Sequence, residues 1–421
     1  MSTHQVSMLF LALALISLSA YGAGALARRL RQPPVIGEIL VGLLLGPTLF
    51  HGVISATLVP TDIRPYLAAL ANLGVALFMF IVGAELDAGL LRGRRTVAGT
   101  VAAASIALPF GLGAALAMYL YADHPTPDKA GFILFVGAAM SVTAFPVLAR
   151  ILTDRGMSRT WLGNVALACA AIDDVLAWTL LAVVVAICGA ATGSQLLLLL
   201  FIPYVLLMVA VVRPVLRRLL GAPRDPGSSR PGALLVTVVG LLVSAFFTEW
   251  IGLHFIFGAF LFGVIMPRRP ADTSPSSHVT AQVTGHIGQL NALLLLPIFF
   301  VVAGLKVDLS RMDGGDVLDL VLILAVAIGG KFAGAFFAAR LCGIAARPAG
   351  ALAALMNTRG LTELIILSVG LELGVLDGQL YSSMVVMALV TTAMAGPLLQ
   401  LIHPMRAERP EPADEAPVAR R

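Results

Sequence analysis

Charged residues are scarce in this sequence of 421 residues, because Asp, Glu, Lys and Arg make up only 12% while hydrophobic residues make up 59%. Ordinary soluble domains are about half apolar and about a quarter charged. The apolar residues here fall in blocks of roughly 20, the length that an α-helix needs to cross a hydrocarbon layer of about 30 Å. The scarcity of charge therefore excludes a soluble fold and predicts an all-α polytopic membrane protein.

Cysteine and histidine are also few, and they form no metal or disulfide pattern. The three cysteines, Cys169, Cys188 and Cys342, lack CxxC spacing, and none of the seven histidines belongs to an HExxH pair. Basic stripes with interleaved aromatic residues, which are typical of nucleic-acid binding, are missing as well. We therefore expect no cofactor, no nucleic-acid partner and no enzyme activity, since a catalytic triad and a nucleotide loop are also absent from the sequence.

The apolar blocks between polar breaks predict thirteen membrane-spanning helices. They cover residues 6–26, 34–50, 65–86, 97–121, 130–152, 160–188, 194–219, 232–250, 252–267, 288–306, 317–342, 348–372 and 381–403. Arginines cluster in the connections that follow odd-numbered spans, and cytoplasmic loops are the ones enriched in Lys and Arg. We therefore expect a multi-pass protein of the cell membrane with its N-terminus outside, and residues 404–421 as a short cytoplasmic tail.

An odd number of spans allows two six-helix halves in opposite orientations, joined by a linking seventh span. The fifth span (GAAMSVTAFPVLAR, 137–150) and the twelfth (ALMNTRGLTELI, 354–365) are each interrupted by polar or helix-breaking residues. Inverted repeats with broken helices at matching positions are a transporter design. We expect the two breaks to meet at one central site, although a kink at Pro146 and a loop near Arg359 would produce the same pattern.

Two adjacent carboxylates, Asp173 and Asp174, lie well inside the sixth apolar block. A carboxylate at the membrane centre costs about 2.5 to 3.5 kcal/mol even on a lenient scale, so it persists only with partners, protons or bound cations. Desolvation favours the protonated acid and a nearby cation favours the carboxylate, so such a group can exchange a proton for a metal ion. A structural pair buried against arginine is the alternative.

Lys331 interrupts the eleventh apolar block in LAVAIGGKFAGAFFAAR. A lysine in hydrocarbon should either lose its proton or pair with an acid, and the available intramembrane acids are Asp173 and Asp174. The alternative is that its long side chain snorkels to a membrane surface.

The two predicted breaks also carry polar groups that could bind a hard cation through oxygen. They are Ser141 and Thr143 in the first break, and Asn357 and Thr358 in the second. Arg359 and Glu363 lie four residues apart, on one helical face, and could neutralise each other. Simple capping of kinks by the hydroxyl groups is the alternative.

Seven motifs occur in the order expected of one transporter family. They are QPPVIGEILVGLLLGP (32–47), LFMFIVGAELD (77–87), SVTAFPVLARIL (141–152), AAIDDVLAW (170–178), GLHFIFGAFLFGVIMP (252–267), LPIFFVVAGLKVDL (296–309) and NTRGLTELI (357–365). The chain thereby resembles the monovalent cation:proton antiporter-2 family, which includes Kef-type bacterial transporters and plant cation/proton exchangers. The resemblance covers nearly the whole membrane portion.

The resemblance implies the sodium/proton antiporter fold in a homodimer. A scaffold (about 6–50 and 194–267) would hold a mobile core (about 65–188 and 288–403) that contains two crossed broken helices. Asp174 then corresponds to the principal carboxylate for cation and proton, and Asp173 to the partner of Lys331. Ser141 and Thr143 match the first unwound stretch, and Asn357, Thr358 and Arg359 match the second.

The function expected from these features is secondary antiport of a monovalent cation, Na⁺ before Li⁺ or K⁺, for protons. Many relatives have Asn or Gln where this chain has Asp173, and acid at both positions together with a lysine resembles the electrogenic subset. An electroneutral K⁺/H⁺ exchanger is one alternative and a passive cation channel is another, although no TVGYG-like filter is present. Dependence of cation flux on a proton gradient would distinguish a carrier from a channel.

Overall fold

The computed structural model describes residues 2–30, 32–48, 53–85, 95–157, 160–189, 200–220, 231–267, 284–310 and 312–402. All the regular elements in these ranges are helices. They are α1 (Thr3–Arg29), α2 (Pro34–Leu45), α3 (Val53–Leu58), α4 (Arg64–Glu85), α5 (Arg95–Leu120), α6 (Lys129–Ser141), α7 (Phe145–Asp154), α8 (Trp161–Gly189), α9 (201–220), α10 (Pro231–Trp250), α11 (Phe255–Ile265), α12 (Thr284–Leu305), α13 (Gly314–Leu341), α14 (Ala346–Met356), α15 (Leu361–Glu372) and α16 (Gly378–Ile402).

Nine of the described helical spans are long and apolar enough to cross a membrane, and the bent pair α14 and α15 makes a tenth. The other three predicted spans coincide with the short apolar helices α2 and α11 and with α9. The predicted all-α polytopic architecture is therefore confirmed. The start of the seventh predicted span, at 194–199, and the tail 404–421 lie outside the described residues.

The helices pack mainly in two groups, which we call the scaffold group (α1, α2, α4 and α9–α12) and the core group (α5–α8 and α13–α16). Glycines let the backbones of the scaffold group touch: a Cβ atom on Gly83 of α4 would lie 2.2 Å from the carbonyl oxygen of Phe260 in α11. The domain division predicted from the resemblance stays a prediction. That prediction placed α4 and α12 in the core. In the structure α4 packs against α11 and α12 packs against α2, which favours placing both helices in the scaffold.

The connection between α5 and α6 carries a buried histidine that joins three parts of the core group. The Nδ1 atom of His124 lies 2.5 Å from a carboxylate oxygen of Asp377, and its Nε2 atom lies 3.9 Å from Asp319 of α13. The hydrogen bond to Asp377 raises the pKa of His124 above its usual value, against the opposing effect of burial, and the charges of Asp377, Asp319 and Asp123 act in the same direction. His124 therefore ties these segments together, most strongly when its imidazole is protonated.

We expect His124→Gln to lower the melting temperature by about 2 °C or more at pH 5.5 and by much less at pH 9.5. A group whose pKa is raised by folding contributes stability below its unfolded pKa, and this contribution is lost as the pH rises through the folded pKa. Fluorimetric melting of the detergent-solubilised protein measures the difference. An equal loss at both pH values would show that the charge of His124 is irrelevant.

Candidate functional site

Two helix breaks cross in the middle of the core group. The first, residues 142–144, separates α6 from α7, and the second, residues 357–360, separates α14 from α15, whose axes bend by 43°. The amide of Ala144 donates a 3.0 Å hydrogen bond to the carbonyl oxygen of Thr358, and the hydroxyl of Thr143 lies 3.0 Å from the carbonyl oxygen of Met356. Each break thus supplies partners for backbone groups that the other break leaves without helical bonds.

Arg359 is fully buried where the two breaks cross. Its guanidinium donates to the carbonyl oxygens of Ala139 (2.8 Å) and Met140 (2.5 Å) and to the carboxylate of Glu363 (3.0 Å). The last carbonyls of a helix have no intrahelical partner and carry partial negative charge, so a cation stabilises the end of α6. Arg359 therefore stabilises the point where the two breaks cross. It also forms the predicted i,i+4 ion pair with Glu363.

Asp173 is fully buried and held by three other side chains. One carboxylate oxygen lies 2.8 Å from the Nζ atom of Lys331 and also contacts the hydroxyl of Thr143, while the other accepts a 3.0 Å hydrogen bond from Ser105. A buried charge is tolerated when it is paired and hydrogen-bonded. Asp173 is therefore a fully satisfied carboxylate.

Lys331 lies wholly in the interior, so its side chain does not snorkel to a membrane surface. Besides Asp173, its ammonium group donates to the carbonyl oxygens of Ser105 (3.0 Å) and Ser141 (2.5 Å). An ammonium group has three N–H donors, and these contacts supply three acceptors. The lysine is therefore held as a cation in a site built by α5, α6 and α8.

Asp174 differs from its neighbour although it is equally buried. Neither of its oxygens accepts a hydrogen bond of ordinary geometry within the described residues. The backbone amide of Phe145, at the N-terminus of α7, is near enough to act on this carboxylate. A buried carboxylate without a bound partner is costly, and a proton or a bound cation would relieve that cost. Of the two acids, Asp174 is thus the one whose oxygens are available to a proton or a cation.

The amide of Asn357, in the second break, is also fully buried, and both its nitrogen and its oxygen lack partners within the described residues. By contrast, the hydroxyl of Thr358 donates to Leu355 (2.8 Å) and that of Ser141 donates to Ala138 (2.7 Å). These two hydroxyls cap their own helices, and Ser141 contributes its carbonyl to the site instead. Asn357 retains a free oxygen that can bind a cation.

Ser105 of α5 is the member of this site that sequence reasoning missed. Its hydroxyl contacts Asp173 and its carbonyl contacts Lys331, yet its sequence context, AAASIALP, is apolar and unremarkable in composition. The available signal was its position four residues before Pro109, because a proline inside a helix leaves that carbonyl unbonded.

A helical membrane protein in which two broken helices cross beside a buried carboxylate has the architecture of a secondary transporter. The chain matches the transmembrane sodium/hydrogen exchanger family over residues 13–403, and it belongs to that family. The family predicted from the motifs is therefore confirmed.

Several relatives are similar over nearly the whole chain. The Na⁺/H⁺ antiporter NhaS4 of Synechocystis sp. is 40% identical over 91% of this chain and 94% of its own length. Cation/H⁺ antiporter 17 of Arabidopsis thaliana is 36% identical over 95% of this chain, and K⁺/H⁺ antiporter 1 of Saccharomyces cerevisiae is 34% identical over 89%. The chain spans about half the length of these last two proteins, at 49% and 44%.

The fold is similar to that of the sodium proton antiporter MjNhaP1 from Methanocaldococcus jannaschii. The superposition has a TM-score of 0.61 and covers 94% of this chain and 96% of that one, at 15% sequence identity. The predicted antiporter fold is thereby confirmed at the level of architecture.

Proposed function

We propose that this protein is a secondary antiporter that exchanges a monovalent cation for protons by alternating access, with Asp174 as the carboxylate that carries one or the other. The observation that carries the proposal is the contrast within the acid pair: Asp173 is fully satisfied, whereas Asp174 is buried and accepts no hydrogen bond of ordinary geometry within the described residues. Relatives named as Na⁺/H⁺ and K⁺/H⁺ antiporters support the same class of substrate. The protein needs no cofactor for this exchange and is not an enzyme.

The remaining ligands belong to the same proposal. Asn357 offers an unpaired amide oxygen, and Thr143 lies between Asp173 and the backbone of the second break. Sodium is the proposed cation because NhaS4, a named Na⁺/H⁺ antiporter, matches this chain over almost its entire length. Lithium and potassium are compared with it in the assay.

The test is exchange in proteoliposomes with an imposed pH gradient and the membrane potential clamped at zero. Sodium chloride should dissipate the gradient, and choline chloride should leave it intact. A passive cation channel would let sodium equilibrate without moving protons, so the gradient would persist. Persistence with sodium, lithium and potassium alike would overturn the proposal.

We expect the exchange to be electrogenic. With one cation bound, ionised Asp173 and Asp174 and protonated Lys331 sum to zero charge. If both acids then take up protons, the return state carries one net positive charge, and transport responds to voltage by about 2.3 kcal/mol per charge per 100 mV. Sodium jumps on a solid-supported membrane should give currents at zero imposed voltage, and Asp173→Asn should reduce the charge moved per cycle. Gradient collapse without current would identify an electroneutral exchanger.

The proposal includes a mobile core group moving against a scaffold group that forms a homodimer, with the N-terminus outside the cell membrane. The scarcity of basic residues in the connections assigned to the outside supports this orientation. Contacts concentrated within each group support the division between moving and fixed parts.

Orientation is tested with single cysteines in a variant that lacks the three native cysteines. Thr96→Cys, at the start of α5, should react with a membrane-impermeant maleimide only from the cytoplasmic side. Gly314→Cys, at the start of α13, should react only from outside, and a side chain at this position meets open space. The reverse labelling would contradict the predicted topology.

A further inference from the structure

Helix α5 contains a proline in its interior, at position 109. Proline has no backbone N–H, so the carbonyl group four residues earlier loses its intrahelical hydrogen bond. That carbonyl belongs to Ser105, and it accepts a 3.0 Å hydrogen bond from the ammonium group of Lys331 in α13. The acceptor that Pro109 leaves without a helical partner is therefore the one that the lysine uses.

A second proline inside a helix has a comparable arrangement. Pro397 lies within α16, and the carbonyl four residues earlier belongs to Ala393. This oxygen accepts a 3.2 Å hydrogen bond from the side-chain amide of Gln32, in the connection between α1 and α2. Here too, a side chain distant in sequence donates to the carbonyl that a proline leaves without a helical partner. Because Pro397 is far from Lys331 in sequence, it provides a matched control for Pro109.

The contact to Ser105 matters because Lys331 is fully buried. Its three N–H groups are met by Asp173 and by two uncharged oxygens, the carbonyls of Ser105 and Ser141. Ser141 is the last residue of α6, so its carbonyl also lies where helical bonding ends. Loss of either carbonyl would leave a donor of a buried cation unpaired.

Close packing of α13 on α5 brings the lysine to this carbonyl. A Cβ atom on Gly330 would lie 3.0 Å from the Cα atom of Pro109, and a Cβ atom on Gly334 would lie 2.5 Å from the carbonyl oxygen of Ala104. Gly330 and Gly334 are four residues apart and therefore share one helix face. The absence of side chains on this face lets α13 lie directly against the proline-containing turn.

We propose that Pro109 is a positioning residue of the exchange site. By withholding an amide, it keeps the Ser105 carbonyl available to Lys331 and so holds the ammonium group beside Asp173. The effect on transport rests on the proposed antiport function, whereas the coupling between Pro109 and Lys331 is a property of the folded protein and is measured without transport.

The test is a double-mutant cycle read by melting temperature. Pro109→Ala supplies an N–H that competes with Lys331 for the Ser105 carbonyl, so the variant gains a helical bond and weakens the bond to the lysine. In a Lys331→Met background there is no such competition, and Pro109→Ala should raise the melting temperature by about 2 °C more than it does in the wild type. Asp173→Asn/Lys331→Met is the second background, used if the single variant does not fold.

Pro397→Ala in the same backgrounds is the control, and its shift should be the same with and without Lys331. If Pro109→Ala also shifts the melting temperature equally in the presence and absence of Lys331, the positioning role is overturned. In the transport assay, we expect Pro109→Ala to lower Vmax/KM for the cation roughly tenfold. This is the size expected for a lost hydrogen bond to a charged group. Unchanged Vmax/KM would overturn the proposal too, whereas a lack of exchange in the wild type would instead refute the antiport function.

Discussion

Asp174→Asn should reduce cation/proton exchange to the background of empty liposomes while leaving the protein folded. Asparagine keeps the shape of the side chain but can hold neither a proton nor a full negative charge. Because no hydrogen bond of ordinary geometry to Asp174 exists within the described residues, the substitution breaks no such contact. It also removes the cost of a buried carboxylate, so the melting temperature should hold or rise.

The matched control is Asp313→Asn. Asp313 is the exposed N-cap of α13, where its carboxylate accepts hydrogen bonds from the amides of Gly315 and Asp316, and asparagine is an equally good cap. This variant should transport like the wild type. Wild-type exchange by Asp174→Asn in the same preparation would show that the exchanging carboxylate lies elsewhere.

Arg359→Met should cause a large loss of stability. The guanidinium is fully buried and binds Glu363 and two carbonyls at the end of α6, so its removal leaves a buried carboxylate and two carbonyls without partners. Breaking a buried ion pair by deleting one partner costs about 3 to 5 kcal/mol, and we expect the melting temperature to fall by roughly 5 °C or more.

The double variant Arg359→Met/Glu363→Leu separates the two causes of that loss. It removes the stranded carboxylate along with the arginine, so it should recover part of the lost melting temperature. If the single and double variants melt at the same temperature, the charge of Glu363 does not contribute and the carbonyls of Ala139 and Met140 account for the whole effect.

Much of the fold and part of the site could be predicted because the membrane makes charge conspicuous. Apolar blocks longer than a bilayer crossing define the spans, and arginine clusters mark the loops between them. Asp173, Asp174 and Lys331 stand out because each interrupts such a block. The scarcity of other intramembrane acids limited the partner of Lys331 to Asp173 or Asp174, the family resemblance implied Asp173, and the structure has that contact.

Other features could not be read from composition, because they depend on backbone geometry. Ser141 attracts attention for its hydroxyl, but the break at the end of α6 makes its carbonyl the group that meets Lys331. Ser105 looks like any small helical residue until the proline four positions later is considered. Which acid of the pair is satisfied depends on which one faces Ser105, Thr143 and Lys331, and this is set by helix packing.

The grouping of helices was hard to predict for a related reason. Small residues recur in most of the apolar blocks, so sequence alone does not say which glycines face each other. Gly83 and Gly263 bring α4 against α11, and Gly42 and Gly304 bring α2 against α12, with backbones in direct contact. These glycine contacts pack α4 and α12 within the scaffold group.

The most direct measurement of the central claim is proton release from the purified protein when a cation binds. Sodium chloride added to the wild type in weakly buffered detergent solution, near neutral pH, should displace about two protons per chain, one from Asp174 and one from Asp173, as electrogenic exchange requires. Release of about one proton per chain would identify electroneutral exchange through Asp174 alone. Choline chloride should release none, and Asp174→Asn should release none with sodium. Equal release by the wild type and Asp174→Asn, or no release from the wild type with sodium, lithium or potassium, would contradict the claim that this carboxylate exchanges a proton for a cation.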